Sequence, residues 1–308
     1  MVNRILIRIK VLQIVYAFYQ NENSDMQKAE KELLFSLQKA YDLYLYLLIL
    51  PLAVTNLYER ITDKRKRRYM PSQEDMNPDT RLVNNRFTAL LSQNEALSQK
   101  VAENSLSWEN DTDFIKTILD ILLASDLYAE YLQNPDDSFE TDREFWRAFF
   151  KQYICGNEIV ETCFEDKSLY WNDDIDIVET FVLKTFKRFD ASAESGEELL
   201  PMFKDEDDRE FAVALFRQTI LHGQEYRKRI DKHLKNWETE RVAFMDMIIM
   251  QVAVAEIMTF PSIPVNVSFN EYIDAAKYYS TPKSGTFING VLNSIVQELK
   301  SEHLLFKN

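Results

Sequence analysis

Between Val242 and Ile257 the chain reads VAFMDMIIMQVAVAEI, and only Asp246, Gln251 and Glu256 interrupt the apolar run. Those three fall five residues apart, so at about 100° per residue they scatter around a helix and define no wet face. A membrane helix needs roughly 20 mostly apolar residues, and a run of sixteen with three polar interruptions is too short. A helix apolar nearly all round has to be the buried centre of a helical bundle. The stretch from Tyr226 to Lys300 is organised around it.

Five glycines and eight prolines in 308 residues leave no supply of the Gly-rich turns that a large β or α/β fold uses, so an all-α protein is expected. The length suits two domains, or one with a large insertion. The chain is 46% hydrophobic and 28% charged, enough for a core and a solvated surface. Cys155 and Cys163 provide neither a disulfide framework nor a metal-ligand spacing, which fits a reducing, cytoplasmic setting. The amino terminus interleaves Arg4, Arg8 and Lys10 with apolar residues and has no small-residue cleavage site after it. It reads as a structural helix and not as a signal peptide. Leu43 to Val54 is the other long apolar stretch, but it contains Pro51, and no membrane span is expected.

The net charge of −14 is unevenly spread. Residues 1–70 hold 12 Lys+Arg against 7 Asp+Glu, whereas residues 95–210 hold 11 against 30. The remainder is nearly neutral. An acidic middle excludes nucleic acid as a partner for the whole surface but leaves room for a local basic patch.

In chain order, the patterning predicts helices over Asn3–Gln20 and Asp25–Ile61, the latter kinked or ended by Pro51 and running into KRKRR at Lys64–Arg68. That run has two readings: an exposed helix end complementing the dipole, or a phosphate-binding patch. Met70–Thr80 reads as a linker. Helical patterns resume at Arg81–Glu103, Asp113–Asn134, Thr141–Cys155 and Asp173–Phe189, with Trp108, Trp146 and Trp171 as core anchors. After an acidic linker at Ala191–Asp208, one long helix is expected over Asp205–Lys235, ending in the basic residues Arg227, Lys228, Arg229, Lys232 and Lys235. Beyond the central helix, Pro261 and Pro264 break the chain before helices at Val267–Tyr279 and Ser284–Leu299.

No phosphate-binding loop, dinucleotide turn, nucleophile elbow or zinc-protease motif is present. His222 and His233 stand eleven residues apart, roughly 16 Å along one helix, too far to share a metal. The chain reads as a non-enzyme with no cofactor and no metal.

The ordered residues of the carboxy-terminal third do match a known pattern. It begins at DREFAVALFRQTILHG from Asp208 and continues through Ile230–Asp231, Asn236–Trp237 and Glu240–Arg241. Asp246 opens the central helix and Glu256–Ile257 closes it. Ile263–Pro264, Asn270–Glu271, Ala276–Lys277, and Phe287 with Asn289 to Leu292 complete the set. At the amino end Arg4, Ile7–Arg8, Leu12–Gln13 and Val15–Tyr16 fall at matching spacing. This set resembles the transcription antitermination protein NusB family, whose fold also serves as the RNA-binding extension of some rRNA cytosine methyltransferases. Here no catalytic domain with a Gly-rich cofactor turn accompanies it.

The resemblance implies a NusB-like helical bundle made of residues 1–20 and 205–308. Residues 21–204 would be a helical, acidic insertion, in which 171–190 are a candidate for the family's second helix. It further implies binding of single-stranded boxA-type RNA in nascent ribosomal RNA leaders. The protein partner would be the small-subunit ribosomal protein of the antitermination complex, with RNA polymerase engaged indirectly. Arg4, Arg8, Lys10 and Lys277 are the RNA-binding candidates; Phe287 and Lys283 are candidates for the protein partner. The chain departs from the family in carrying Met247 and Gln251 where arginines are usual, and Lys283 where an acidic residue is common. The alternative is a helical protein–protein interaction module of the same fold that binds no RNA.

Overall fold

A computed structural model describes residues 1–21, 25–190, 199–234 and 242–305. Lys235, the pairs Asn236–Trp237 and Glu240–Arg241, and residues 191–198 of the acidic linker lie outside the described residues. Among the described residues there are helices and no strand; an isolated parallel bridge joins Val2 to Phe203. The chain divides into two compact units, residues 38–202 with Met1, and residues 2–37 with 203–308.

Helix α1 (Arg4–Gln20) starts where the Asn3 side chain accepts from the Leu6 amide, satisfying one of the free N–H groups at a helix start. Helix α2 (Met26–Leu48) carries the chain from one unit into the other between Leu37 and Gln38. Helix α3 (Leu50–Lys66) follows after a break at Ile49, with Pro51 in its first turn, where the missing N–H interrupts no helical bond. Pro51 therefore marks a helix start. By length and composition Met26–Lys66 is long and apolar enough to cross a membrane, contrary to expectation, yet 78% of its apolar window is buried inside the protein. It is a core element here.

The rest of this unit is built from shorter helices than the pattern suggested. They are α4 (Gln73–Met76), α5 (Arg86–Gln93), α6 (Glu95–Glu103), α7 (Thr112–Ala124), α8 (Asp126–Gln133), α9 (Phe139–Phe149), α10 (Glu158–Lys167) and α11 (Ile175–Arg188). The expected Arg81–Glu103 helix breaks at Asn94, and Asp113–Asn134 breaks at Ser125. Each of those side chains caps the following helix, accepting from the amides of Leu97 and Tyr128. A polar side chain that satisfies N–H groups competes with an unbroken helix. Helix α9 passes into a π-helical turn at Phe150–Ile154, and α10 was not signalled by periodicity. The Met70–Thr80 linker contains α4, held by a reciprocal Ser72–Asp75 capping box. The Trp108 ring stacks on Tyr46 at 3.8 Å between centroids. Its indole N–H donates to the Tyr46 carbonyl, as that of Trp171 does to Lys39. All three predicted tryptophans are buried.

In the other unit, α12 (Glu206–Leu221) and α13 (Gly223–His233) replace the single helix expected over Asp205–Lys235; the chain turns at His222. Helix α14 (Phe244–Thr259) is the central helix, and every residue from Asp246 to Ile257 is buried. Helices α1, α12, α13, α15 (Val265–Tyr279) and α16 (Ser284–Ser301) all pack against it. An apolar surface that wraps the whole helix requires neighbours on all sides, and the bundle supplies them.

Candidate nucleic-acid interface

The first helix presents two arginines one turn apart, and the structure gives them different tasks. Arg8 is 4% exposed. Its Nε and Nη2 donate to the two carboxylate oxygens of Glu256 at 2.7 and 2.9 Å. Glu256 also accepts from the Ser268 hydroxyl at 2.7 Å and the Tyr272 hydroxyl at 2.8 Å. Four donors thus converge on a carboxylate with no solvent exposure, which is what a buried charge needs to offset its desolvation. Burial alone would make Arg8 easier to deprotonate, but the hydrogen bonds and charge of Glu256 outweigh it and its pKa is raised. Burial likewise pushes the Tyr272 phenol well above its usual range. The Glu271 carboxylate lies 3.6 Å from Arg8 Nη1.

Arg4 lies one turn earlier with 41% of its side chain exposed. Its Nε donates to Asp208 Oδ1 at 3.0 Å, and its guanidinium sits 5.0 Å from the centre of the Phe211 ring. Arg8 lies 5.4 Å from the same ring. Phe211 and Asp208 are three apart on α12, so one face of that helix positions both arginines. Lys10 is 1% exposed, so its side chain offers nothing to the surface. Lys277 is exposed on α15 and pairs with Asp274 at 2.6 Å. Of the four candidate cations, Arg4 and Lys277 reach solvent and Arg8 and Lys10 are interior. For Arg8 the sequence signal was Glu256: a carboxylate inside a helix with no wet face needs a buried cation; nothing in the sequence marked Lys10 as interior.

The basic residues of α13 are partly neutralised. Arg229 pairs with Glu302 at 2.8 Å, and Lys232 and His233 both hold Glu298. Those bonds keep the Glu298 carboxyl at about 2, with Lys232 the larger influence.

Beside this, a cavity of about 700 Å³ opens next to the turn before α16, lined among others by Val242, Asp246, Pro282, Lys283 and Phe287. Phe287 is half-buried and Lys283 exposed. The Ser284 hydroxyl donates to Asp246 Oδ2 at 2.9 Å. The other carboxylate oxygen of Asp246 is buried without a hydrogen-bond partner among the described residues.

The profile of the NusB family matches residues 175–297. A protein named transcription antitermination protein NusB from Salinibacter ruber is 39% identical over 132 residues, covering 41% of this chain and 82% of that protein. Its namesake from Koribacter versatilis is 42% identical over 98 residues, or 32% of this chain and 67% of the relative. That from Chloroherpeton thalassium is 38% identical over 100 residues, or 32% of this chain and 47% of the relative. No solved structure matches the chain. With most of the Salinibacter protein's length covered at this identity, the chain belongs to the NusB family.

Proposed function

We propose that this protein is a cytoplasmic transcription antitermination factor that binds boxA-type single-stranded RNA of nascent ribosomal transcripts together with a small-subunit ribosomal protein. In this reading residues 38–174, which precede the stretch matched by the family profile, are an addition to the RNA-binding bundle. The observation that carries it is the amino end of α1: an exposed guanidinium, Arg4, seated on Phe211 directly above a locked Arg8–Glu256 pair. Phosphate recognition needs cations whose positions are fixed. Arg4 and Lys277 make the contacts, while Arg8 and Lys10 hold α1 in place. The Lys277–Asp274 pair is solvent-exposed, worth only about 0.2–1 kcal/mol, and exchanges readily for phosphate; Arg4 holds the buried Asp208 through Nε and offers phosphate its terminal guanidinium nitrogens. Phe287 and Lys283 form the surface for the ribosomal protein.

The test is titration of boxA RNA, with and without the ribosomal protein, across a salt series. Replacing Arg4 and Lys277 with Ala should weaken binding and reduce the salt slope by about 1.4, since each lost single-strand phosphate contact removes roughly 0.7. Unchanged affinity and slope would refute the assignment. A protein-only module is the second reading, favoured by the cavity at Phe287 and the pairing of Arg4 with Asp208; binding of the ribosomal protein but of no RNA would select it.

A further inference from the structure

The carboxyl end of α3 carries an accumulation of positive charge that the bundle's chemistry does not use. Lys64, Arg65, Lys66, Arg67 and Arg68 are consecutive and all exposed, and Arg60 precedes them by one turn. A helix carboxyl terminus presents about half a negative charge, so one cation would complement it; six are far more than it needs. Among the described residues Arg60, Lys64, Arg65, Lys66 and Arg67 form no ion pair, and Arg68 only approaches Asp75 at 3.9 Å. Arg60 and Lys64 share a face of α3; with Asp63 and with Arg67 and Arg68 just past the helix end, they line a surface depression of about 530 Å³.

The next two residues are unusual in the same direction. Tyr69 is 100% exposed and Met70 83%, so an aromatic ring stands free immediately beside the cations. The segment that follows it is anchored. The Ser72–Asp75 capping box fixes the start of α4, and the Tyr58 hydroxyl donates to the Asp79 carbonyl at 3.0 Å. The patch therefore lies between the end of α3 and an anchored segment.

We propose that Arg60, Lys64–Arg68 and Tyr69 form a binding site for single-stranded RNA, separate from the amino end of α1. Arginines grip phosphate oxygens with paired donors, and an exposed aromatic ring stacks on any base. The charge around the patch selects this partner over a lipid surface. Residues 69–190 hold 11 Lys+Arg against 25 Asp+Glu, a balance of −14. An anionic bilayer would bring a whole plane of negative charge against that acidic surround, within the Debye length of about 8 Å. A flexible strand touches the cationic patch alone.

The experiment uses the full chain and a labelled oligouridine RNA of about 12 nucleotides, within the usual single-strand site sizes. Anisotropy is read over a salt series for the wild type and three variants. Lys64→Ala/Arg65→Ala/Arg67→Ala/Arg68→Ala should lose at least about tenfold in affinity and at least about 1.4 in salt slope, the value for two phosphates. Tyr69→Ala should lose about fivefold or more with the slope unchanged. Arg65→Lys/Arg67→Lys/Arg68→Lys, which keeps the charge, should retain the slope and so control for folding. Wild-type affinity and slope in the fourfold alanine variant would overturn the proposal, as would failure of the wild type to bind oligouridine. Patch-dependent binding to phosphatidylcholine/phosphatidylserine vesicles of about 3:1 without RNA binding would overturn it in favour of a membrane. The Arg4→Ala/Lys277→Ala protein separates the sites: loss of boxA binding there with intact oligouridine binding sustains both, and the opposite pattern locates which one fails.

Discussion

At the scale of single residues, the centre of the family-like unit is one carboxylate with four donors. Glu256 cannot be solvated where it sits, so Arg8 is a requirement of the fold before it is anything else. Removing one partner of a buried pair leaves the other charge stranded, at a cost of about 3–5 kcal/mol. Arg8→Ala should therefore lower unfolding free energy in urea by about that much. Arg8→Ala/Glu256→Gln should recover part of the loss, because the stranded charge is gone. A loss below about 1 kcal/mol in the single variant would mean that the pair is not the keystone described here. The outcome also decides how to read RNA assays on Arg8, since a destabilised α1 loses affinity indirectly.

At the scale of elements, the turn between α12 and α13 depends on a glycine for space. A Cβ on Gly223 would run into the Tyr19 hydroxyl of α1, while the Tyr19 ring carbon behind it would stay at 3.5 Å. The Gly223 carbonyl also accepts from Gln251 Nε2 at 3.0 Å. Gly223→Ala should cost about 1–2 kcal/mol by thermal melting, within the usual range for local overpacking, and Tyr19→Phe should relieve most of it. Equal costs in both backgrounds would show that the hydroxyl is not the obstacle. This turn also marks what the sequence made legible. Helical content, the buried α14 and the first helix were readable because apolar patterning, scarce glycine and the absence of a wet face are local signals. The break at His222–Gly223 was not, since the close approach that requires a glycine there is to a ring more than 200 residues away. Nor were the breaks at Asn94 and Ser125, where the hydrogen bond of one side chain decides between a longer helix and a new one. At the candidate site the cations were identifiable by type. Which of them face inward depended on Glu256, a long-range pairing.

At the scale of the whole molecule, the two units carry ionisations of opposite sign. In residues 38–202 burial, with the nearby Asp176 and Glu161 charges, raises the Glu179 carboxyl to about 7, and burial pushes the neighbouring Cys155 thiol up to about 12. Between the ordinary value of 4.5 and 7 the folded Glu179 binds more protons than the unfolded chain. Its contribution to stability is therefore lost as pH rises through that window. Glu298, in the other unit and held at about 2, behaves inversely: its contribution is present above 4.5 and lost as pH falls toward 2. Glu179→Gln should raise the melting midpoint at pH 8 with little effect at pH 4.5. Glu298→Gln should lower it at pH 7, with the difference shrinking by pH 3. Shifts of the same sign for both variants would contradict these environments. The pairing of Arg8 with Glu256 also has a consequence in time. The partners are 248 residues apart, and at roughly 5–20 residues per second a ribosome needs about 12–50 s between making one and making the other. Throughout that interval a nascent α1 carries an unpaired guanidinium and apolar side chains with no α14 to cover them. The first helix of the family-like unit is therefore made long before the partner that satisfies its buried charge.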